Sequence, residues 1–429
     1  MSTQVRPGYK LTEVGVIPDN WEVCRLADLL EEGRHIRYGV VQPGTFVSDG
    51  CFMLRSQDYS KGWSGEDGMH RLSKLLEAQF KNAKLNAGDI VMTVVGAGIG
   101  QVEVIPSWLE GAVLSRSTAR IAVDVHKSEK NFVKYYLESP VITKQLRDSQ
   151  REGAQPVVSC PDLSDFIMAY PPRLQQNAIA SVLTDIDALV RGLDQLVAKK
   201  RDIKQATMQK LLTGQQRLPG FSGEWKARSF GDLVERLEAG ISVNSVDESL
   251  RQYGHVQSIL KTSAVSNGNF FPLECKKIAP IDLKRTTTSP LSNTILISRM
   301  NTPDLVGESG YVEQDYPWLF LPDRLWMTHF RKESDINVKW LSYVLSSPEY
   351  KLRIRSNATG TSGSMKNISK GTLLSLSILL PSGAEQAAIA TVLSDMDSEL
   401  TALETRRDKA RQLKQGMMQE LLTGRIRLL

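Results

Sequence analysis

The sequence predicts an α/β protein of two globules separated by two long antiparallel coiled-coil helices, the whole written as an internal repeat with pseudo-two-fold character. Three observations carry that reading. The run Pro171 to Gly214 aligns without a gap on Pro381 to Gly424 at an offset of 210, with 20 of 44 positions identical. Both copies show apolar residues at heptad spacing with polar residues elsewhere. The segments between them mix short apolar runs with glycine-bearing turns, which suits strands joined by tight connections. The predicted boundaries are a first globule over 1–170, a first helix over 171–218, a second globule over 219–380 and a second helix over 381–429.

Taken in order, the first globule opens at Pro18-Asp-Asn-Trp21 and carries Leu26-Ala-Asp-Leu29. Its predicted strands are Ile90–Val95, Val102–Ile105 and Ala119–Val123, and its predicted helix is Phe132–Glu138. The second globule answers with Phe221-Ser-Gly-Glu-Trp225, Phe230-Gly-Asp-Leu233, strands at Thr294–Ser298 and Leu374–Leu379, and a helix at Val338–Leu345. Asp89 to Thr93 corresponds to Thr294 to Ser298, and Val133 to Pro140 resembles Leu341 to Pro348. Elsewhere the globules differ, so two similar scaffolds carry different surfaces.

In the first long helix, Ile179, Ile186 and Leu193 form one row, and Leu183, Val190 and Val197 another. In the second, Ile389, Met396 and Leu403 form a row beside Leu393 and Leu400. Each helix follows a proline and ends at Thr-Gly, where glycine readily takes the left-handed C′ conformation. About 37 helical residues give a rod of ~55 Å, and an amphipathic rod of that length needs a partner to cover its seam. The acids Asp185, Asp187, Asp395, Asp397 and Glu399 come early, whereas Lys199, Lys200, Arg201, Lys204, Arg406, Arg407, Lys409, Arg411 and Lys414 come late. Antiparallel pairing sets acidic ends beside basic ones, although each exposed pair contributes only ~0–1 kcal/mol.

Composition narrows the function. Lys+Arg is 53 against Asp+Glu at 48, a net charge of +5, which permits a polyanionic partner without requiring one. The first residues lack the apolar core of a signal peptide, and the least polar stretch, Ile90 to Gly100, is too short to span a bilayer. Cys24, Cys51, Cys160 and Cys275 lie far apart, so they read as free thiols in a reducing cytoplasm.

No catalytic constellation is legible, and no metal site is expected. G-x-x-x-x-G-K-[ST], G-x-S-x-G and H-E-x-x-H are all missing. The five histidines are scattered, with His35 and His329 near arginines that could bring them to phosphate. Gly96-Ala-Gly-Ile-Gly100 looks like a nucleotide loop, but Gln101 to Ile105 reads as a strand where a dinucleotide fingerprint needs a helix. The Asn-Pro-Pro-[Tyr/Phe] run of an adenine-amino methyltransferase does not occur.

Basic and amide side chains in both globules are the candidates for DNA contact, because Lys and Arg neutralise phosphates while Arg, Gln and Asn can read base edges. In the first globule these are Arg34, Arg37, Gln57, Arg116, Arg147, Arg151 and Gln155. In the second they are Lys276, Lys284, Arg285, Arg299, Arg324, Arg353, Arg355, Lys366 and Asn367. Arg147 to Gln155 and Arg353 to Asn367 read as polar loops between a helix and the final strand of each globule, suited to a phosphate backbone.

The order of globule, helix ending Leu-Leu-Thr-Gly, globule, and helix ending Leu-Leu-Thr-Gly resembles the specificity subunit of Type I restriction–modification systems. Pro18 to Glu22, Pro219 to Trp225, Gly88-Asp-Ile-Val-Met92 and Gly98-Ile-Gly-Gln101 share in the likeness, which spans nearly the whole chain. The second globule departs from the pattern, with Thr294 in place of Asp89 and only Gly307 and Gly310 left of the glycine run. The resemblance implies that the globules are target recognition domains, each reading half of a split double-stranded DNA site. It implies docking of two methyltransferase subunits and of restriction–translocase subunits. Those partners would bring S-adenosylmethionine, ATP and Mg, leaving this chain without a catalyst or cofactor.

A rod of ~55 Å matches ~16 base pairs, so two inset readers would contact sequences about one turn apart. The expected target is therefore bipartite and asymmetric, with a non-specific spacer. The alternative is a standalone non-catalytic DNA-binding or scaffold protein of the same fold; a third reading is a nuclease built on scattered carboxylates.

Overall fold

The computed structural model describes residues 5–60, 62–150, 156–246, 256–360 and 365–428. The chain divides into two compact units, Met1–Asp194 with Thr405–Leu429, and Gln195–Glu404. Each unit holds one globule and the adjoining halves of both long helices, because the contacts of a globule extend onto the helix segments beside it.

The long helices run Arg173–Leu212 and Gly383–Leu421, 40 and 39 residues, or about 60 Å each. Gly214 and Gly424 follow their C-termini at φ 71° and 67°, the left-handed conformation that lets glycine end a helix. Within the first unit, Lys414 Nζ reaches Asp187 across 2.7 Å and Arg411 reaches Asp194 across 2.9 Å. Within the second, Lys200 pairs with Glu399 at 2.7 Å, Lys204 with Asp397, and Arg201 with Glu404. In both units the numbers rise on one helix as they fall on the other, so the pairing is antiparallel with basic beside acidic ends, as the charge order predicts. Ile179, Leu183, Ile186, Leu193, Val197, Ile389, Leu393 and Leu400 are buried, while Val190, Met396 and Leu403 are half-buried. Burying one such side chain contributes roughly 1.5–3 kcal/mol, which outweighs an exposed ion pair.

In the first unit a four-stranded antiparallel sheet runs Arg37–Tyr38, Thr118–Ile121, Ile90–Thr93, Val102–Val104. A three-stranded sheet, His70–Leu72, Cys51–Leu54, Val113–Leu114, covers a smaller core around Leu54, Leu85 and Leu114. Helices Lys130–Leu137 and Pro140–Ser149 join the larger core with Trp21, Phe132, Leu183 and Leu422. Gly96 to Gly100 is the turn between Ile90–Thr93 and Val102–Val104, which pair antiparallel.

The second unit carries a six-stranded sheet in the order Val234–Ala239, Leu325–Phe330, Thr294–Ser298, Ser309–Val312, Gly268–Phe270, Val265–Ser266. Beside it lies a four-stranded sheet, Ser245–Val246, Cys275–Ile278, Ser258–Leu260, Leu319–Phe320. Helices Val338–Ser346 and Pro348–Ser356 pack with Leu211, Trp340, Ile389 and Leu393.

Two expectations change. The strand expected at Leu374–Leu379 begins only at Ser377, because Ser369 Oγ caps Thr372 N at 3.0 Å and starts a helix over Lys370–Leu374. Arg147, Arg353 and Arg355 lie on helices, not on loops. Ser139-Pro140 and Ser347-Pro348 each open a second helix at once, with proline in its first turn and Ser139 Oγ accepting from Ile142 N.

Candidate nucleic-acid interface

Three segments of the first globule converge. Arg37 and Tyr38 form the edge strand, both exposed. Arg116 N donates to Val40 O at 2.9 Å, tying the Ser115–Ser117 turn to the chain just beyond that edge. Ser56 N donates to Ser117 Oγ at 3.4 Å, bringing the single turn that carries exposed Gln57 to the same place. The approach is close, since a Cβ on Gly39 would overlap the Leu114 carbonyl. Gly96 N donates to Pro156 O at 3.1 Å, so the glycine turn meets the segment following residues 151–155. Arg147 is exposed near the end of its helix. Arg151 and Gln155 lie outside the described residues.

Arg34 is removed from the candidates. It makes a two-pronged pair with Asp89 at 2.9 and 2.5 Å and donates to Glu31 at 2.8 Å, and the Asp89 side chain is 2% exposed. Its cation is spent on a buried carboxylate, so it supports the fold. Arg120, equally conspicuous in the sequence, is buried and donates to the Lys84 and Asn82 carbonyls.

The second globule gathers Arg299, Arg324, Lys366 and Asn367. Arg299 N donates to Arg324 O at 3.0 Å, Ile368 N donates to Arg299 O at 2.9 Å, and Met300 and Asn301 pair with Asn367 and Lys366. Arg324 is exposed, while Arg299 Nε donates to Asp323 O at 2.7 Å. The Asn367 Oδ1 atom is buried with no partner among the described residues.

The remaining candidates lie elsewhere. Arg355 donates to Glu308 at 2.8 Å, and Lys351 pairs with the same buried carboxylate at 2.7 Å, so Arg355 also supports the fold. Arg353 pairs with Glu349 at 2.6 Å and Arg285 with Asp282 at 2.7 Å. Lys284 is exposed after Cys275–Ile278, the strand that carries half-buried Lys276. His329 does not stand open to phosphate: its Nε2 lies 2.7 Å from Glu238, which also accepts from Thr288. Burial tends to raise the Glu238 pKa, but the His329 and Thr288 contacts outweigh it and hold the carboxyl below its ordinary range.

Sequence reasoning missed the contacts by which globules grip helices. Tyr135 hydroxyl donates to Asp187 and Tyr343 hydroxyl to Asp397, at 2.9 and 2.7 Å. Gln176 Oε1 accepts from Ser128 Oγ and Glu129 N, and Gln386 Oε1 accepts from Asn337 N, all within 2.9 Å. The signal was present: Gln176/Gln386, Asp187/Asp397 and Lys204/Lys414 are identities of the repeat, and each is polar where a purely apolar seam would not need it.

Among the described residues, no three His, Cys, Asp or Glu side chains are grouped to hold a metal ion, and no helix is long and apolar enough to cross a membrane.

Residues 222–413 match the family model of the Type I restriction modification DNA specificity domain. The chain is 26% identical to the Type I restriction enzyme EcoBI specificity subunit of Escherichia coli, over 51% of this chain and 45% of that one. It is 25% identical to the MjaVIII specificity subunit of Methanocaldococcus jannaschii, over 49% of each chain. These two alignments span about half the length of the relatives they match. A putative Type I restriction enzyme MjaX specificity subunit of M. jannaschii is 25% identical over 98% of this chain and 97% of its own. The solved S subunit of a Type I restriction–modification system from M. genitalium has the same fold, with a TM-score of 0.59 at 14% identity over 97% of this chain and 98% of that one. The matched domain, the full-length relative and the shared fold all make the chain similar to the specificity subunits of Type I restriction–modification systems.

Proposed function

We propose that this chain is the non-catalytic, DNA-reading subunit of its system. It recognises a bipartite, asymmetric site in double-stranded DNA and directs partner methyltransferase and restriction–translocase subunits to it. The observation that carries the reading is duplication with divergence. Two globules share strand registers and helix grips, yet one gathers Arg37, Gln57 and Arg116 and the other, at different positions, gathers Arg299, Arg324, Lys366 and Asn367. One scaffold with two polar surfaces suits two unlike half-sites. In this reading S-adenosylmethionine, ATP and Mg belong to the partners, and the complex works in the cytoplasm.

The test is to read modified adenines from single DNA molecules of the host with and without the gene. Loss of one bipartite methylated motif on deletion is the expected result. An unchanged methylome would leave a standalone binding or scaffold protein. Inserting four residues into each long helix is expected to lengthen the spacer; an unchanged spacer in active complexes would sink the ruler role of the helices.

A further inference from the structure

The strand registers equate positions in the two globules that sequence alignment could not pair. Tyr38 lies opposite Ala119, and Ala119 opposite Met92; Ala239 lies opposite Trp326, and Trp326 opposite Ile297. Met92 and Ile297 already correspond in the repeat, so Tyr38 equates with Ala239 and Arg37 with Glu238. The next residue is glycine in both. A Cβ on Gly39 would overlap the Leu114 carbonyl, and one on Gly240 would overlap the Leu321 carbonyl. Two residues beyond those carbonyls stand Arg116 and Asp323. At both positions flanking the crossing, an arginine in the first globule is a carboxylate in the second.

We propose that these are base-reading positions of opposite chemistry: Arg37 and Arg116 take the acceptor edge of guanine, and Glu238 and Asp323 take the amino group of cytosine. The proposal rests on the DNA-reading function above and adds which residues read and what they read. Arginine matches guanine O6 and N7 with two donors, whereas a carboxylate accepts from cytosine N4. Phosphate repels a carboxylate, so on a DNA-facing edge the acids gain only from a base that offers a donor.

The structure prepares them for that. Arg37 and Arg116 are exposed and form no ion pair among the described residues. Glu238 is braced by His329 at 2.7 Å and Thr288 at 3.2 Å and lies 3.6 Å from the Arg236 guanidinium, with its side chain 35% exposed. Asp323 accepts from the Ser242 hydroxyl and lies 3.8 Å from Arg299, with its side chain 47% exposed. These contacts orient the acids, and each carboxylate keeps lone pairs for a further donor. Arg299, Arg324 and Lys366 stand close by to meet the phosphates.

The test uses the full chain co-expressed with its own methyltransferase subunits, with the methylated motif read from single molecules. The unaltered chain comes first, because a complex that methylates no bipartite motif defeats the proposed function before any variant is made. Given a motif, Arg37→Gln with Arg116→Gln is expected to relax a guanine in one half-site, its preference falling roughly 5- to 150-fold. Glu238→Gln with Asp323→Asn is expected to relax a cytosine in the other half-site. Each variant should leave the opposite half-site and the spacer unchanged. Weaker binding with a shallower salt dependence and an intact motif would make the arginines phosphate contacts and overturn the proposal. Tighter binding with an intact motif would do the same for the acids, as would relaxation at other bases. Arg37→Lys and Asp323→Asn singly, both at exposed sites, keep the test open should a double variant fail to fold.

Discussion

The Tyr135 hydroxyl donates to the Asp187 carboxylate across 2.9 Å, and Lys414 from the other long helix reaches that carboxylate across 2.7 Å. Globule, first helix and second helix thus meet at one acid. Tyr343, Asp397 and Lys204 repeat the arrangement in the second unit. An apolar seam alone tolerates slippage by a heptad; a half-buried carboxylate that needs both a hydroxyl and an ammonium does not. Tyr135→Phe or Asp187→Asn is expected to cost ~1.5–3 kcal/mol, the range of hydrogen bonds to charged groups. Melting of the full chain measures it, and an unchanged midpoint would show that the contact sets nothing.

The same acid makes a prediction about pH. Burial works to raise the Asp187 pKa, but Lys414, Tyr135 and Lys134 outweigh it and hold the carboxyl below its ordinary 3.8. A folded pKa below the unfolded one means the stabilising contribution is fully present above pH 3.8. It is lost as pH falls through the lower, folded value. Asp187→Asn should therefore flatten the acid limb of the stability curve while lowering stability at pH 7. Parallel curves for both proteins below pH 4 would contradict this.

Arg34 and Arg37 show how far the sequence could be read. Three residues apart and alike in composition, they look like one basic patch, yet Arg34 closes on Asp89 while Arg37 faces out. The difference depends on Asp89, 55 residues away, and no local pattern encodes it. The helices were legible because heptads repeat locally and the duplication confirms their register. The site was not, because it is assembled from an edge strand, a turn and a single helical turn distant in sequence. Arg34→Gln is expected to leave Asp89 unpaired and to cost about 3 kcal/mol, with DNA affinity unchanged below the melting transition. Loss of affinity at intact stability would return Arg34 to the interface.

The seam gives a contrast between positions of similar chemistry. Leu183 and Leu393 are fully buried, whereas Leu189 on the first helix is 44% exposed. Leu183→Ala and Leu393→Ala are each expected to cost ~2–5 kcal/mol through lost burial and the cavity left behind. Leu189→Ala should stay within about 0.5 kcal/mol. Denaturant unfolding of the three variants separates them. Equal losses would mean that Leu189 is covered in solution.

Gly39 and Gly240 offer a test of the crossing that brings the two proposed reading positions together. A methyl group at either site overlaps a backbone carbonyl, which cannot rotate aside as a side chain can, so one strand must shift. Gly39→Ala is expected to cost about 1–3 kcal/mol, the range for overpacking. Because Arg116 N is tied to Val40 O at 2.9 Å, the same shift should move Arg116 relative to Arg37. Under the proposed function, recognition by the first globule should then weaken more than stability alone explains, while the half-site assigned to the second globule keeps its sequence. Gly240→Ala should do the converse. A variant that melts normally and methylates both half-sites as before would show that the crossing does not set the spacing of the reading side chains.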